Sequence, residues 1–378
     1  MKTDILELPP ISLYIHYPWC IKKCPYCDFN SHHGRVIKGY IEALLRDLDN
    51  DIHYLQDRSI HSIFIGGGTP SLMTIDEIRK LFQGLQDRLS ISRDVEVTLE
   101  ANPGTFEVEK FAQFRKIGIN RLSIGIQSFN NKHLKLLGRI HTRNESIEAI
   151  ERAKSVGFNN LNIDLMYGIS GQTREQSLED IKTAISFEPS HISLYQLTLE
   201  PNTLFAKYPP RLPKDEIIWE MGSAGADLLE SSGFKRYEIS AFGKNFSQHN
   251  LNYWEFGDYI GIGAGAHGKI TDTSKGVIFR TMKPKSPEDY MEQFNSSKNN
   301  ATIVNINNLS FEFMLNALRL KEGFSSKLFE SRTGLNFQTI GKQINKAKKL
   351  GLIDKMNDRI VPTEKGFNFI NDLQEMFL

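Results

Sequence analysis

The sequence has little cysteine: 3 residues in 378, an odd number and too few for a disulfide framework. It has no excess of either charge, with 46 Lys+Arg against 45 Asp+Glu and a formal balance of +1. That balance argues against a general nucleic-acid or membrane-surface binder and leaves room only for local patches. No apolar run reaches the ~18 residues that a membrane-spanning helix needs. The opening MKTDILELPP has no basic stretch leading into an apolar one, so it does not read as a secretory signal, and a cytoplasmic protein is expected. What is present is ordinary for a folded chain: 40% hydrophobic and 24% charged residues exclude wholesale disorder. At roughly 150 residues per domain, the length suits two to three domains, or one barrel with a small appended unit.

Six segments read as strands: Ser12–Pro18, Ser62–Ile65, Glu96–Glu100, Arg121–Gln127, Asn160–Met166 and His191–Thr198. Their Ile, Leu, Val, Tyr and Phe content suits strands covered by helices. Helical patterns fall between them at Ile37–Leu55, Ile75–Leu89, Phe106–Ile117, Asn144–Val156 and Thr173–Phe187. Thr74 with Glu77 three residues on has the form of a capping box. This alternation predicts a parallel sheet with right-handed crossovers, most simply a partial (β/α)6 barrel. No internal repeat stands out.

After residue 200 the rhythm changes. Pro201–Pro213 reads as a connector, Asp215–Ser231 as a helix, and the Gly- and aromatic-rich stretch Tyr237–Gly268 as short strands and loops. The polar stretch Lys283–Asn308 reads as a linker. Beyond it, three helices and a short hairpin in GLIDKMNDRIVPTEKG give a winged-helix-like pattern. The expected domains are therefore 1–235 for the barrel, 236–300 for a motif-bearing segment and linker, and 301–378 for the C-terminal unit.

All three cysteines fall within eight residues, at Cys20, Cys24 and Cys27, directly after the first strand. Thiolates bind soft metals and iron–sulfur clusters. This spacing can wrap three corners of a cubane [4Fe–4S] cluster. With no further cysteine in the chain, the fourth iron would stay open to a substrate or cofactor. The rival is a zinc site that adds His16, His32 or His33, although structural zinc more often uses paired C-x₂-C units.

Barrel active sites gather at the C-terminal ends of the strands. Here strand two ends in Gly66-Gly67-Gly68-Thr69-Pro70, strand three at Glu100 and strand four at Gln127, while strand five carries Asp164. Each alone reads equally well as a turn or a cap. Together, on one rim with the cysteines, they read as a site.

The C-x₃-C-x-aromatic-C pattern after the first strand, with Tyr26 as the aromatic, resembles the radical S-adenosylmethionine superfamily. The resemblance implies a [4Fe–4S] cluster on the three cysteines, S-adenosylmethionine chelating the open iron, and Tyr26 beside the adenine. The segments YIHYPWCIKKCPYCDFN, FIGGGTPS, LEANPGT, RLSIGIQSFN, LGRIHT and NIDLMYG narrow the resemblance to the branch of coproporphyrinogen dehydrogenases and HemW-type haem chaperones. By that resemblance Tyr14, Gly68, Thr69 and Glu100 surround the S-adenosylmethionine. Gln127, Arg139 and Asp164 match positions that surround a second one in the dehydrogenases.

Two features separate the branches. The dehydrogenase motif continues to a further cysteine, where this chain has Phe29, and the dehydrogenases carry a longer segment before the first strand. The string His249-Asn250-Leu251-Asn252-Tyr253-Trp254 resembles the H-N-x-x-Y-W signature of the haem chaperones. Imidazole is a good haem ligand, and Tyr and Trp offer flat faces to a porphyrin. The resemblance thus implies haem as cargo, with His249, Tyr253 and Trp254 at its site and His267 as a second candidate ligand. It also implies a haem-accepting protein such as a respiratory haemoprotein, and a flavodoxin- or ferredoxin-type reductant. The alternatives are an oxidative decarboxylase of coproporphyrinogen III and a metal-dependent nucleic-acid-binding regulator. The regulator rests on Lys342, Lys346, Lys348 and Lys349 in the tail, which lacks the wider basic excess of such binders.

Overall fold

The computed structural model describes residues 6–34, 36–104, 108–293, 301–356 and 358–378. The six expected strands form as β1 (Ile11–Tyr17), β2 (Ile60–Gly67), β3 (Glu96–Ala101), β4 (Arg121–Gln127), β5 (Asn160–Tyr167) and β6 (His191–Gln196). They lie side by side in that order, each parallel to the next. The helices are α1 (Tyr40–Asp51), α2 (Ile75–Gln86), α3 (Phe111–Ile117), α4 (Arg143–Ser155), α5 (Arg174–Ser186) and α6 (Asp215–Ser231). Of the expected Phe106–Ile117 helix, Phe106 lies outside the described residues, as does Thr105 of the LEANPGT segment. The result is a six-unit partial barrel.

Local chemistry sets the entries to the helices. α2, α4 and α5 each start at a threonine in a reciprocal capping box, Thr74 with Glu77, Thr142 with Glu145 and Thr173 with Gln176. Each box satisfies two of the backbone donors that a helix start leaves unpaired. The strands alternate, apart from register shifts between Ile11 and Leu13 against β2 and between Ile124 and Gln127 against β5. Ile11, Leu13 and Ile15 point into the layer under the helices, as do Leu99, Leu122 and Ile163, and all are fully buried. The other parity faces the inside of the barrel.

The region after α6 holds more regular structure than a Gly- and aromatic-rich stretch suggests. A short helix, α7 (Gln248–Trp254), is capped by the Ser247 hydroxyl on the Asn250 amide. Its sequence has no apolar stripe of helical spacing, and tertiary contacts hold it instead. Asp258–Ile262 then pairs in parallel with β1 on the side opposite β2. His267–Asp272, Val277–Met282 and Ala301–Ile303 extend that edge, and Ala241–Gly243 with Lys235–Arg236 extends the other, giving a 12-stranded sheet. The polar stretch before the tail contributes the helix Pro287–Gln293, and residues 294–300 lie outside the described ones.

The tail has the winged-helix-like pattern. Helices Ile306–Ala317, Ser326–Thr333 and Gly341–Lys349 precede an antiparallel hairpin of Ile353–Met356 and Arg359–Pro362, with Phe324–Ser325 as its third strand. Its core centres on Phe313, edge-on to Phe256, Phe324 and Phe329. Phe256 and Ile278 come from the barrel side, so the two units share apolar packing. No helix among the described residues is long and apolar enough to cross a membrane.

Candidate cofactor site at the barrel rim

The cysteine loop is fixed to the end of β2 through backbone. The Gly68 amide donates to the Tyr17 carbonyl at 2.8 Å, and the Thr69 amide donates to the Trp19 carbonyl at 2.8 Å. A Cβ at Gly68 would meet the Trp19 carbonyl oxygen at 2.6 Å, and Gly67 has φ 113° with the His16 ring against it. Gly68 is therefore required by the close approach of the cysteine loop, and Gly67 by its positive φ and the His16 ring of β1. His16 bridges the Tyr14 hydroxyl (2.9 Å) and the Asn30 carbonyl (2.8 Å). Lys23 donates to the carbonyls of Phe29 and Ser31 and ties down the far side of the loop.

So held, the thiols are half-buried and free. Thr69 Oγ1 lies 3.4 Å from Cys20 Sγ, an Arg139 nitrogen 3.7 Å from Cys24 Sγ, and Ser31 Oγ 4.0 Å from Cys27 Sγ. Burial pushes the Cys20 and Cys27 thiols above their ordinary pKa, against the pull of these hydrogen bonds. Metal binding would supply the charge that keeps them deprotonated.

The three cysteines open on a cavity of about 500 Å³ inside the barrel. Of the expected S-adenosylmethionine contacts, Tyr26, Gly68, Thr69, Glu100, Gln127, Arg139 and Asp164 all line it. Tyr14 does not. It lies beneath, stacked against Phe64 with ring centroids 6.3 Å apart. Glu100 accepts the Gly67 amide at 3.0 Å, and its carboxyl is pushed up to about 8, first by burial and then by the charge of Asp164. Asp164 is also raised by burial and accepts from Ser123 and Asn162. Gln127 adopts φ 70°, which is uncommon outside glycine and marks stored backbone strain at the site.

Sequence reading took the strand ends and passed over the rest of the inward face. Asn102 donates to Thr69 Oγ1 and accepts from Arg139, joining two rim residues. Ser123, Asn162 and Ser193 line the same cavity. The signal was present: each sits two residues from another polar position, the parity that faces inward along a strand.

The H-N-x-x-Y-W helix sits differently. His249 is 4% exposed, with Nδ1 2.9 Å from the Ser62 hydroxyl and its ring against Phe64. Burial and the charge of Arg121 bring its pKa down to about 3, so the imidazole is neutral. Its Nε2 has no hydrogen-bond partner among the described residues. Asn252 donates to Ser12 and to the Asp258 carbonyl. Tyr253 stacks on Tyr259 at 4.1 Å, and Arg319 covers Trp254 at 4.4 Å. Only Asn250 of this helix reaches the cavity. His249 is thus buried in the unliganded chain, one ring behind the cavity wall, with Phe64 between it and the cavity. His267 lies at the exposed start of its strand, on the same rim as the cysteines.

The donor set fits a cluster better than a single ion. Among the described residues, no three His, Cys, Asp or Glu converge on one metal position. Both ring nitrogens of His16 are already bonded, and His32 bonds Asn30. The Cys₃His zinc alternative is therefore set aside. Three thiols at the mouth of a cavity, with Arg139 and Lys23 as counter-cations, suit an iron–sulfur cluster with one open corner. The cavity's buried acids and turned-in backbone suit a cationic amino-acid-bearing ligand such as S-adenosylmethionine.

Residues 14–184 match the model of the radical SAM superfamily, and residues 307–369 match that of the HemN C-terminal domain. Fold and site together define a radical S-adenosylmethionine protein, a class whose cofactors are an iron–sulfur cluster and S-adenosylmethionine. "Heme chaperone HemW" of Escherichia coli (strain K12) is 45% identical over 99% of this chain and 100% of its own length. The protein of that name from Lactococcus lactis is 33% identical over 98% and 97%. The chain belongs to this HemW family. The solved coproporphyrinogen III oxidase HemN of Escherichia coli superposes with a TM-score of 0.83 over 100% of this chain and 92% of its own, at 22% identity, a likeness of fold.

Proposed function

We propose that this protein binds haem and passes it to an acceptor haemoprotein in the cytoplasm, using a radical S-adenosylmethionine core as its scaffold. The observation that carries the reading is full-length relatedness to proteins named as haem chaperones, at 45% identity. In this reading Cys20, Cys24 and Cys27 hold a [4Fe–4S] cluster, and S-adenosylmethionine takes the open iron. Tyr26, Gly68, Thr69 and Glu100 would bind and orient it, with Gln127, Arg139 and Asp164 lining the same cavity. If the radical chemistry is active, a reduced cluster held by these cysteines would supply an electron to S-adenosylmethionine, and a flavodoxin- or ferredoxin-type protein would be the expected donor. Respiratory haemoproteins are the expected acceptors.

The decarboxylase reading has less support. Phe29 stands where that branch has a further cysteine, and it is 58% exposed at the cavity mouth. The test is a haem titration of the anaerobically reconstituted full chain, followed in the Soret band. Saturation at one haem per chain, with no oxidation of coproporphyrinogen III under reducing conditions with S-adenosylmethionine, supports the carrier. Turnover of coproporphyrinogen without saturable haem binding refutes it.

A further inference from the structure

We infer that haem is received inside the barrel, at the inner end of the cavity, where Phe64 swings aside to open it to His249 and Arg121 takes a propionate. The inference deepens the carrier reading and rests on it.

The cavity brings these groups together. It runs from the three cysteines at the rim inward to Phe64, Arg121 and Asn250, so α7 contributes to its floor. His249, next to Asn250, lies behind Phe64 with ring centroids 5.1 Å apart. Its Nδ1 is bonded to Ser62 on β2, which turns Nε2, on the opposite edge of the ring, away from that strand. Nε2 is buried and has no hydrogen-bond partner among the described residues, a condition that calls for an explanation in a folded interior. The Ser62 hydroxyl can accept from Nδ1, which leaves the Nε2 lone pair for a metal.

Arg121 is a second group at the same end with capacity to spare. It is 2% exposed, yet its closest polar contacts among the described residues are Thr98 Oγ1 at 3.4 Å and one Glu96 oxygen at 4.0 Å. The other Glu96 oxygen accepts from the Ser247 hydroxyl and the His249 amide. A buried guanidinium ordinarily holds a carboxylate at shorter range and in a bidentate fork. The charge of Arg121 also acts on the His249 ring, so the two groups share the inner end of the cavity.

Phe64 is the partition. Aromatic contacts to Tyr14 and His249 hold its half-buried ring. On the rim side Gly66 leaves that ring its space, since a Cβ there would meet Phe64 Cε1 at 2.9 Å. Haem matches what lies on the two sides of the ring. Its iron takes a neutral imidazole, its flat apolar face suits Phe64, and its carboxylates suit Arg121. Entry by this route passes the rim, so S-adenosylmethionine held there obstructs haem loading.

The test follows haem association by stopped flow in the Soret band, using the reconstituted full chain. Phe64→Ala should speed association about fivefold or more and Phe64→Trp should slow it, each with cluster absorbance intact. Saturating S-adenosylmethionine should slow association with the wild type by about the same factor. Arg121→Gln should weaken haem about tenfold, and should change the affinity for haem dimethyl ester, whose carboxylates are blocked, by less than about twofold. Rates unchanged both in Phe64→Ala and with S-adenosylmethionine bound overturn the inference and place the entry outside the barrel. Equal losses of haem and its ester in Arg121→Gln overturn the propionate contact. Haem binding unaltered in His249→Ala overturns the inference and keeps the carrier reading. Absence of saturable haem binding in the wild type removes both.

Discussion

The cysteine loop and the Gln248–Trp254 helix bear the two most conspicuous motifs of this chain, and the fold uses them in opposite ways. The loop satisfies its backbone against β2 and leaves three thiols facing a cavity, each with only long contacts to neighbouring polar groups. The helix turns its side chains inward, His249 onto Ser62, Asn252 onto Ser12 and Trp254 under Arg319. Motif composition looks equally functional in both. What separates them is how much of each motif's polar capacity the fold has already used.

Substitutions on each side break or sharpen this contrast. Cys24→Ala should abolish the broad absorbance at about 400 nm of the reconstituted protein, since a cubane cannot be held at two corners. The same variant should change apo stability by no more than about 1 kcal/mol, because the half-exposed thiol has little to lose. Retention of a full cluster spectrum would contradict the ligand assignment.

Next in size comes the support beneath α7. Asp258 is fully buried and bonds Lys269, Arg58 and the Thr271 amide and hydroxyl. Those cations hold its carboxyl below the usual range despite burial, which opposes them. Asp258→Ala strands a buried lysine and should cost about 3–5 kcal/mol in urea unfolding. His249→Ala removes a packed ring and its bond to Ser62, for about 2–3 kcal/mol. A loss under roughly 0.5 kcal/mol there, within the range of surface substitutions, would show that the helix is no structural plug.

The smallest effect is a slope. Glu100 has a pKa near 8 when folded against an ordinary value of 4.5. Between those values the unfolded chain has released a proton that the folded chain keeps. Apo stability should therefore fall as pH rises through that window, level off above it, and be unaffected below it. Asp164, Arg121 and Tyr14 face the same carboxyl, and their contributions persist in Glu100→Gln. That variant should flatten the slope when urea midpoints are compared at about pH 5 and about pH 8. An unchanged slope would place the titration on another group.

Much of this was readable beforehand. The barrel strands stood out because their apolar content is near-continuous or alternating, and Arg121–Gln127 and Asp215–Ser231 coincide with their expected limits. The rim residues were found because strand ends are where such barrels place their chemistry. Asn102 escaped because its partners, Thr69 and Arg139, are remote in sequence. The helix at Gln248–Trp254 escaped because its propensity is weak and the packing that stabilises it comes from β1, β2 and the tail. The glycines at the end of β2 were read as an approach to a ligand, and the neighbours of Gly67 and Gly68 are protein: His16 and the start of the cysteine loop.

The parallel pairing of β1 with Asp258–Ile262 also bears on how the chain matures. As the polypeptide leaves the ribosome, the strand that ends in the cysteine loop is made first, and one of its two neighbours is made among the last of the sheet. The carbonyl of Ala264 that receives Asn30 arrives later still. Until then the loop is tethered on one side only. The cysteine loop therefore gains its second tether only once the segment around residues 258–264 has folded against β1, some 240 residues further along the chain.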